Sequence, residues 1–180
     1  NSIDWVILSG SLPPGIPDRF YGRIIENIHT RTNKPFIALD TDGNPLRNGA
    51  MAKPDLIKPN IWELQRLISE KIRRFDQIKC AGQYFLNNGI NFVLITMGKN
   101  GSLGFSKQGC FYVKVPQVQC LNSVGCGDAF LGGFVLKFSK TKNFAESLRY
   151  AASAGTAKAS RFDTDIPEIE DVKKILRKVS

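Results

Sequence analysis

The chain has 180 residues, of which 42% are hydrophobic and 23% charged, enough to bury a core and too apolar for an extended disordered protein. Its formal charge of +9 raises nucleic-acid binding. The basic residues are scattered, however, and the densest group, Lys173, Lys174, Arg177 and Lys178, falls on an amphipathic segment and reads as a solvated face. No nucleic-acid partner is expected. No apolar run approaches the roughly 20 residues that span a bilayer, and no charged-then-apolar leader is seen. A cytoplasmic protein without membrane contact is therefore expected. Cys80, Cys110, Cys120 and Cys126 show no Cys-x-x-Cys spacing, and His29 is the sole histidine, which argues against zinc and for free thiols.

Trp5–Leu8 reads as a short strand and 17–32 as a helix. Phe36–Leu39 and Leu56–Lys58 are strand-like. Asn60–Ser69 and Phe75–Asn87 are helical, the second ending near Gly89. Phe92–Thr96 is a buried strand. Ser102–Ser106 and 110–115 form a hairpin across Lys107-Gln108-Gly109. Helices follow over 128–138, 144–160 and 168–179. Strands alternating with helices predict a single α/β domain over 1–180, with a mostly parallel sheet and helices on both faces. Ligands of such sheets bind beyond the carboxyl ends of the strands, where the motifs below could converge.

Asn122-Ser-Val-Gly-Cys-Gly-Asp128 carries the most information. Two glycines flank one small residue, and an aspartate then opens an apolar helical run. Glycines allow a tight turn whose N–H groups approach a ligand, and the helix adds unpaired N–H groups and a positive dipole end. Phosphoryl transfer needs such an anion hole with a carboxylate at its rim. The alternative is that Asp128 caps the helix. Cys126 is either an inert small filler or a thiol activated by the helix N-terminus.

In Lys58-Pro-Asn-Ile-Trp-Glu63, Asn60 and Glu63 have the spacing of a capping box. They also suit a hydrated magnesium ion, which keeps most of its waters and often takes one protein carboxylate. Lys58 lies either beside nucleotide phosphates or on the surface. Thr96, Gly98 and Gly101 form either an ordinary turn or the edge of a nucleotide site. Ala151–Ala159 is a small-residue helix suited to close packing.

Together, in this order, these segments resemble the ribokinase/phosphofructokinase-B family of sugar kinases, over 4–176. Asn60-Ile-Trp-Glu63 is similar to the family's Asn-x-x-Glu magnesium motif, and Val124-Gly-Cys-Gly-Asp128 to its C-terminal signature. Ser9-Gly-Ser-Leu-Pro-Pro-Gly15 is similar to the branch acting on phosphorylated hexoses, as are Asp40-Thr-Asp-Gly-Asn-Pro-Leu46 and Ile57-Lys-Pro-Asn60. The resemblance implies a ribokinase-like fold whose N-terminal part and lid lie outside this chain. It implies an ATP-dependent, magnesium-requiring kinase and a homodimer in the complete protein. Asp128 would be the base, and Gly125, Cys126 and Gly127 the anion hole. Lys58, Asn60, Thr96, Gly98, Gly101 and Gly127 would bind ATP. Ser9, Gly10 and Ser11 would touch substrate, and one face of 151–159 would border the adenine. Fructose 1-phosphate is the first expected substrate, with tagatose 6-phosphate or fructose 6-phosphate next. The alternative is a catalytically incomplete nucleotide-binding fragment. Asn122 stands where many members have an aspartate that helps bind a monovalent cation.

Overall fold

A computed structural model describes residues 3–162 and 165–180. Among the described residues six strands hydrogen-bond in the order β1-β2-β3-β4-β5-β6. They are β1 (Trp5–Ser9), β2 (Phe36–Asp40), β3 (Leu56–Ile57), β4 (Phe92–Thr96), β5 (Ser102–Ser106) and β6 (Gly109–Val113). The described helices are α1 (Phe20–His29), α2 (Gly43–Met51), α3 (Ile61–Ile68), α4 (Phe75–Asn87), α5 (Cys126–Thr141), α6 (Phe144–Ala159) and α7 (Ile169–Leu176). The chain divides into two compact units, Asn1–Ile95 with Phe105–Gly109, and Thr96–Gly104 with Cys110–Ser180.

In the first unit β1 to β4 are parallel, with Trp5 opposite Phe36, Ala38 opposite Leu56 and Leu56 opposite Phe92. Parallel strands are covered on both faces and read as continuous apolar runs. Ile37, Leu39, Leu56, Ile57, Val93 and Leu94 are accordingly sealed from solvent. Asp55 ties the starts of the strands together: its carboxylate accepts from Ile37 N at 2.9 Å and from Asn91 Nδ2 at 2.8 Å. The parallel register brings the carboxyl ends of β1, β2 and β3 to one edge, with Gly10, Asp40 and Lys58 just at or beyond it.

Helix α2 was not expected from the sequence. Gly43, Asn44 and Pro45 are poor helix formers, yet proline is tolerated in a first helical turn, where its missing N–H has no intrahelical partner. Asp42 precedes the helix and accepts from Gly43 N at 2.6 Å. Leu46 and Ala50 are buried, and Gly49 packs so closely on Leu39 that a Cβ there would collide. Tertiary packing thus outweighs weak local propensity. Helix α1 begins at Phe20 rather than at 17, because 17–19 form a turn closed by Phe20 N donating to Pro17 O at 2.9 Å.

In the second unit, α5 and α6 pack through small residues. A Cβ on Gly133 would lie 3.0 Å from the Ala154 methyl, and one on Gly155 would lie 3.1 Å from the Cys126 carbonyl oxygen. Phe134 anchors the far end, stacked on Phe138 and edge-on to Phe144, with centroids 5.6 Å apart in both pairs. Lys114 and Ser180 exchange backbone hydrogen bonds of 2.7 and 3.2 Å, which pin the segment after α7.

Candidate active site

In the second unit the turn Val124-Gly125 delivers the chain into α5. Gly125 caps the helix in the left-handed region, at φ 76°, ψ 0°, with no side-chain cap bond. A residue with a Cβ is strained there. The helix starts two residues earlier than the sequence suggests, so Asp128 is its third residue rather than its cap. Its carboxylate is exposed in the first turn, where the helix dipole favours negative charge. Cys126 N–H turns back to Ser123 O at 3.3 Å, and Ala129 N–H reaches Gly125 O at 2.9 Å. Of the three expected anion-hole donors, Cys126 is therefore partly engaged by its own turn.

A cavity of about 250 Å³ opens against this turn. Thr96, Gly98, Gly101, Cys126 and Gly127 line it, which brings together five of the residues singled out from the sequence. Val115, Pro116, Val118, Phe130 and Ala152 supply apolar walls. Ala152, Gly155, Thr156 and Ala159 come from the small-residue helix, whose face borders the cavity. Met97 N donates to Gly101 O at 2.9 Å around the 3-10 turn Gly98–Asn100. A Cβ on Gly101 would collide with the Val113 carbonyl. Ser102 was not anticipated. It is 1% exposed and lines the cavity, and its Oγ has no hydrogen-bond partner among the described residues.

Asn122 holds the approach to the turn. Its Oδ1 accepts from Val124 N at 2.9 Å and its Nδ2 donates to Phe162 O at 3.4 Å. Cys126 is no activated thiol. Burial raises its pKa first and the Cys120 thiol adds to this, against a smaller opposing pull from Lys158. Its Sγ points at Asn122 O, 3.5 Å away.

In the first unit Asn60 and Glu63 complete the capping box. Asn60 Oδ1 accepts from Trp62 N at 2.8 Å and from Glu63 N at 3.0 Å, and Glu63 Oε2 accepts from Asn60 N at 2.8 Å. Burial holds the Glu63 pKa above 4.5, while the Asn60 N–H and Lys58 pull it back. Lys58 is not a surface lysine. It is 5% exposed and bonds Asp40 at 3.0 Å. A buried lysine is retained where a carboxylate compensates its lost hydration. Arg66 grips Asp42 through two bonds of 3.0 and 2.6 Å.

Among the described residues no three His, Cys, Asp or Glu side chains converge as a metal cage. Asn60 Oδ1 is already taken by two N–H groups and one Glu63 oxygen by a third. The remaining Glu63 oxygen fits an ion held through water, which is the mode magnesium favours.

Ser9, Gly10 and Ser11 are exposed where β1 ends. Their backbone is fixed by Tyr21 OH donating to Ser9 O at 3.0 Å, Thr41 Oγ1 to Gly10 O at 2.7 Å and Gly10 N to Asp40 O at 2.9 Å.

Residues 1–171 match the family described as pfkB family carbohydrate kinase. The chain is 31% identical to the 1-phosphofructokinase of Borreliella burgdorferi over 172 residues, covering 95% of this chain and 54% of that protein. It is 30% identical to the 1-phosphofructokinase of Bacillus subtilis over 176 residues, covering 98% and 57%. Phosphofructokinase-2 from Escherichia coli, solved in complex with potassium, superposes with a TM-score of 0.90 at 27% identity, over 97% of this chain and 56% of that one. The chain thus spans a little over half the length of these relatives.

Proposed function

This chain belongs to the pfkB family of carbohydrate kinases, and from that premise we propose that it carries the ATP-binding and phosphoryl-transfer part of a kinase acting on a phosphorylated hexose. The observation that carries the reading is the cavity lined by Thr96, Gly98, Gly101, Cys126 and Gly127, with the uncapped start of α5 in its wall.

Apolar walls with few polar groups suit a nucleoside base. The N–H groups of the α5 N-terminus suit phosphate oxygens. In this reading Gly125 and Gly127 N–H groups, with a weaker share from Cys126, stabilise charge on the transferring phosphoryl group. The Asp128 carboxylate accepts the proton of the attacking sugar hydroxyl. Magnesium, when bound, neutralises charge on the phosphates, and Glu63 is the residue that would hold it through water. Lys58 is assigned to the ATP-binding set and Ser9, Gly10 and Ser11 to the sugar phosphate. Fructose 1-phosphate is the first substrate in this reading, supported by the two relatives above that are named 1-phosphofructokinase. Tagatose 6-phosphate and fructose 6-phosphate follow. The complete protein is read as a cytoplasmic homodimer.

Calorimetric titration of the chain with ATP and magnesium tests the nucleotide half, and saturable binding is expected. Coupled assays with the three sugar phosphates test the rest. Turnover is expected to be largest with fructose 1-phosphate. Binding without turnover on any of them would favour the incomplete nucleotide-binding fragment, and absence of ATP binding would overturn both readings.

A further inference from the structure

Lys158 lies near the end of α6 and is 2% exposed. Lysine is among the residues least often buried, because removing an ammonium from water is costly. Its place follows from helical periodicity. Ala151 and Ala154 are buried, and Lys158 follows them on the same inward face. That face meets the start of α5. The Lys158 Cε lies 3.4 Å from where a Cβ on Gly125 would sit, so its stem runs past the residue that caps the candidate anion hole. Lys158 also pulls the Cys126 thiol toward ionisation, so its charge is felt at that turn. A ligand at this turn is indicated independently by Ser102, whose buried Oγ has no hydrogen-bond partner among the described residues and lines the same cavity as Cys126 and Gly127.

We propose that Lys158 is a positioning residue that acts through the first turn of α5, adding a fixed positive charge so that this turn binds the phosphates of a nucleotide. The inference rests on the cavity being a nucleotide site. A helix N-terminus supplies only about half a charge, and its influence fades within a turn. An ammonium held close behind the same turn adds to that field at an anion bound there. The nucleoside portion, seated among apolar walls, carries no charge for it to act on.

The test compares ligands with and without phosphate. Lys158→Met keeps the stem and removes the charge, and Lys158→Arg keeps a charge. Dissociation constants for ATP and for adenosine, the latter by competition with a fluorescent nucleotide, are measured alongside melting curves. For Lys158→Met, ATP affinity is expected to fall about 10- to 100-fold, the range for a bond to a charged group. Adenosine affinity should hold, and Lys158→Arg should recover most of the loss. Equal losses for ATP and adenosine, or no loss for ATP, would overturn the proposal. If the Met variant does not fold, Lys158→Gln is measured in the same way. If every neutral replacement unfolds while Lys158→Arg behaves as the parent, the lysine is structural and the proposal falls. Parent protein that binds neither ligand would instead remove the nucleotide reading itself.

Discussion

Two helices open the candidate motifs, and they begin in opposite ways. Helix α3 closes on itself: Asn60 and Glu63 satisfy three backbone N–H groups at its start. Helix α5 begins at a left-handed glycine with no side-chain cap, against a cavity. Both starts place a carboxylate three residues past the cap position, Glu63 in one and Asp128 in the other. In α3 that carboxylate is consumed by the backbone. In α5 it is exposed in the first turn of an open start. A helix start that satisfies its own donors has little left for an anion, whereas one capped by glycine can offer its donors to a ligand. Similar sequence signals therefore close a helix start in one unit and leave one open in the other, where the proposed chemistry is placed.

The sharpest way to break this contrast is Asp128→Asn. If the carboxylate is the base, kcat of the active enzyme should fall by about 10²- to 10⁴-fold. Because Gly125 and not Asp128 occupies the cap position, no capping bond at that position is lost. Loss of the favourable charge–dipole interaction should cost about 0.3–1 kcal/mol of stability, read by thermal melting. ATP affinity should hold or improve, since a negative charge near the phosphates is removed. Turnover within a few-fold of the parent, measured by a coupled assay, would return Asp128 to a dipole-balancing role.

Gly125→Ala should have the next largest effect. A Cβ at φ 76° is strained by about 1–2 kcal/mol, and here it also meets the Lys158 stem. Both stability by denaturant titration and ATP affinity by calorimetry should fall, because the open start of α5 is itself distorted. A stability loss with intact affinity would separate the turn's shape from its proposed binding role. At α3 the same kind of experiment should read differently. Asn60→Ala removes a cap accepting two N–H groups and should cost about 1 kcal/mol of stability, visible in denaturant titration.

Strands β4 and β5 and helix α4 were legible in the sequence to the residue, because each is a strong periodic run bounded by glycine, asparagine or turn residues. Helix α2 was not, since its glycines, asparagines and proline oppose helix locally and only burial of Leu46 and Ala50 against the sheet decides the matter. The cavity residues Gly98, Gly101 and Gly127 stood out because glycines at turns mark close backbone approach. The burial of Lys58 was not legible, because its partner Asp40 lies on a different strand and sequence spacing does not pair them. Lys158 carried a readable signal, a lone charge on the buried face of a small-residue helix. Ser102 carried none, because an unpartnered hydroxyl is a property of packing alone.

The smallest expected effect belongs to Glu63→Gln, and it tests the closed start most finely. Glutamine keeps an oxygen for the Asn60 N–H, so the capping box survives, and stability at neutral pH should move by no more than about 0.5 kcal/mol. The pH dependence should change in a defined direction. Burial is the largest influence on Glu63 and raises its pKa above 4.5. A carboxyl whose pKa is higher folded than unfolded contributes stability that is full below the unfolded value and is lost as pH rises through the folded one. Glutamine does not titrate, so melting points should favour the parent most at acid pH and drift toward the variant as pH rises past 4.5. Thermal scans between acid and neutral pH read this drift directly. If Glu63 also holds magnesium through water, the variant of the active enzyme should need more magnesium for half-maximal rate, with its metal-free melting curve near that of the parent. An altered pH drift with an unchanged magnesium titration would leave Glu63 a cap alone, and the contrast between a closed α3 and an open α5 would then be complete.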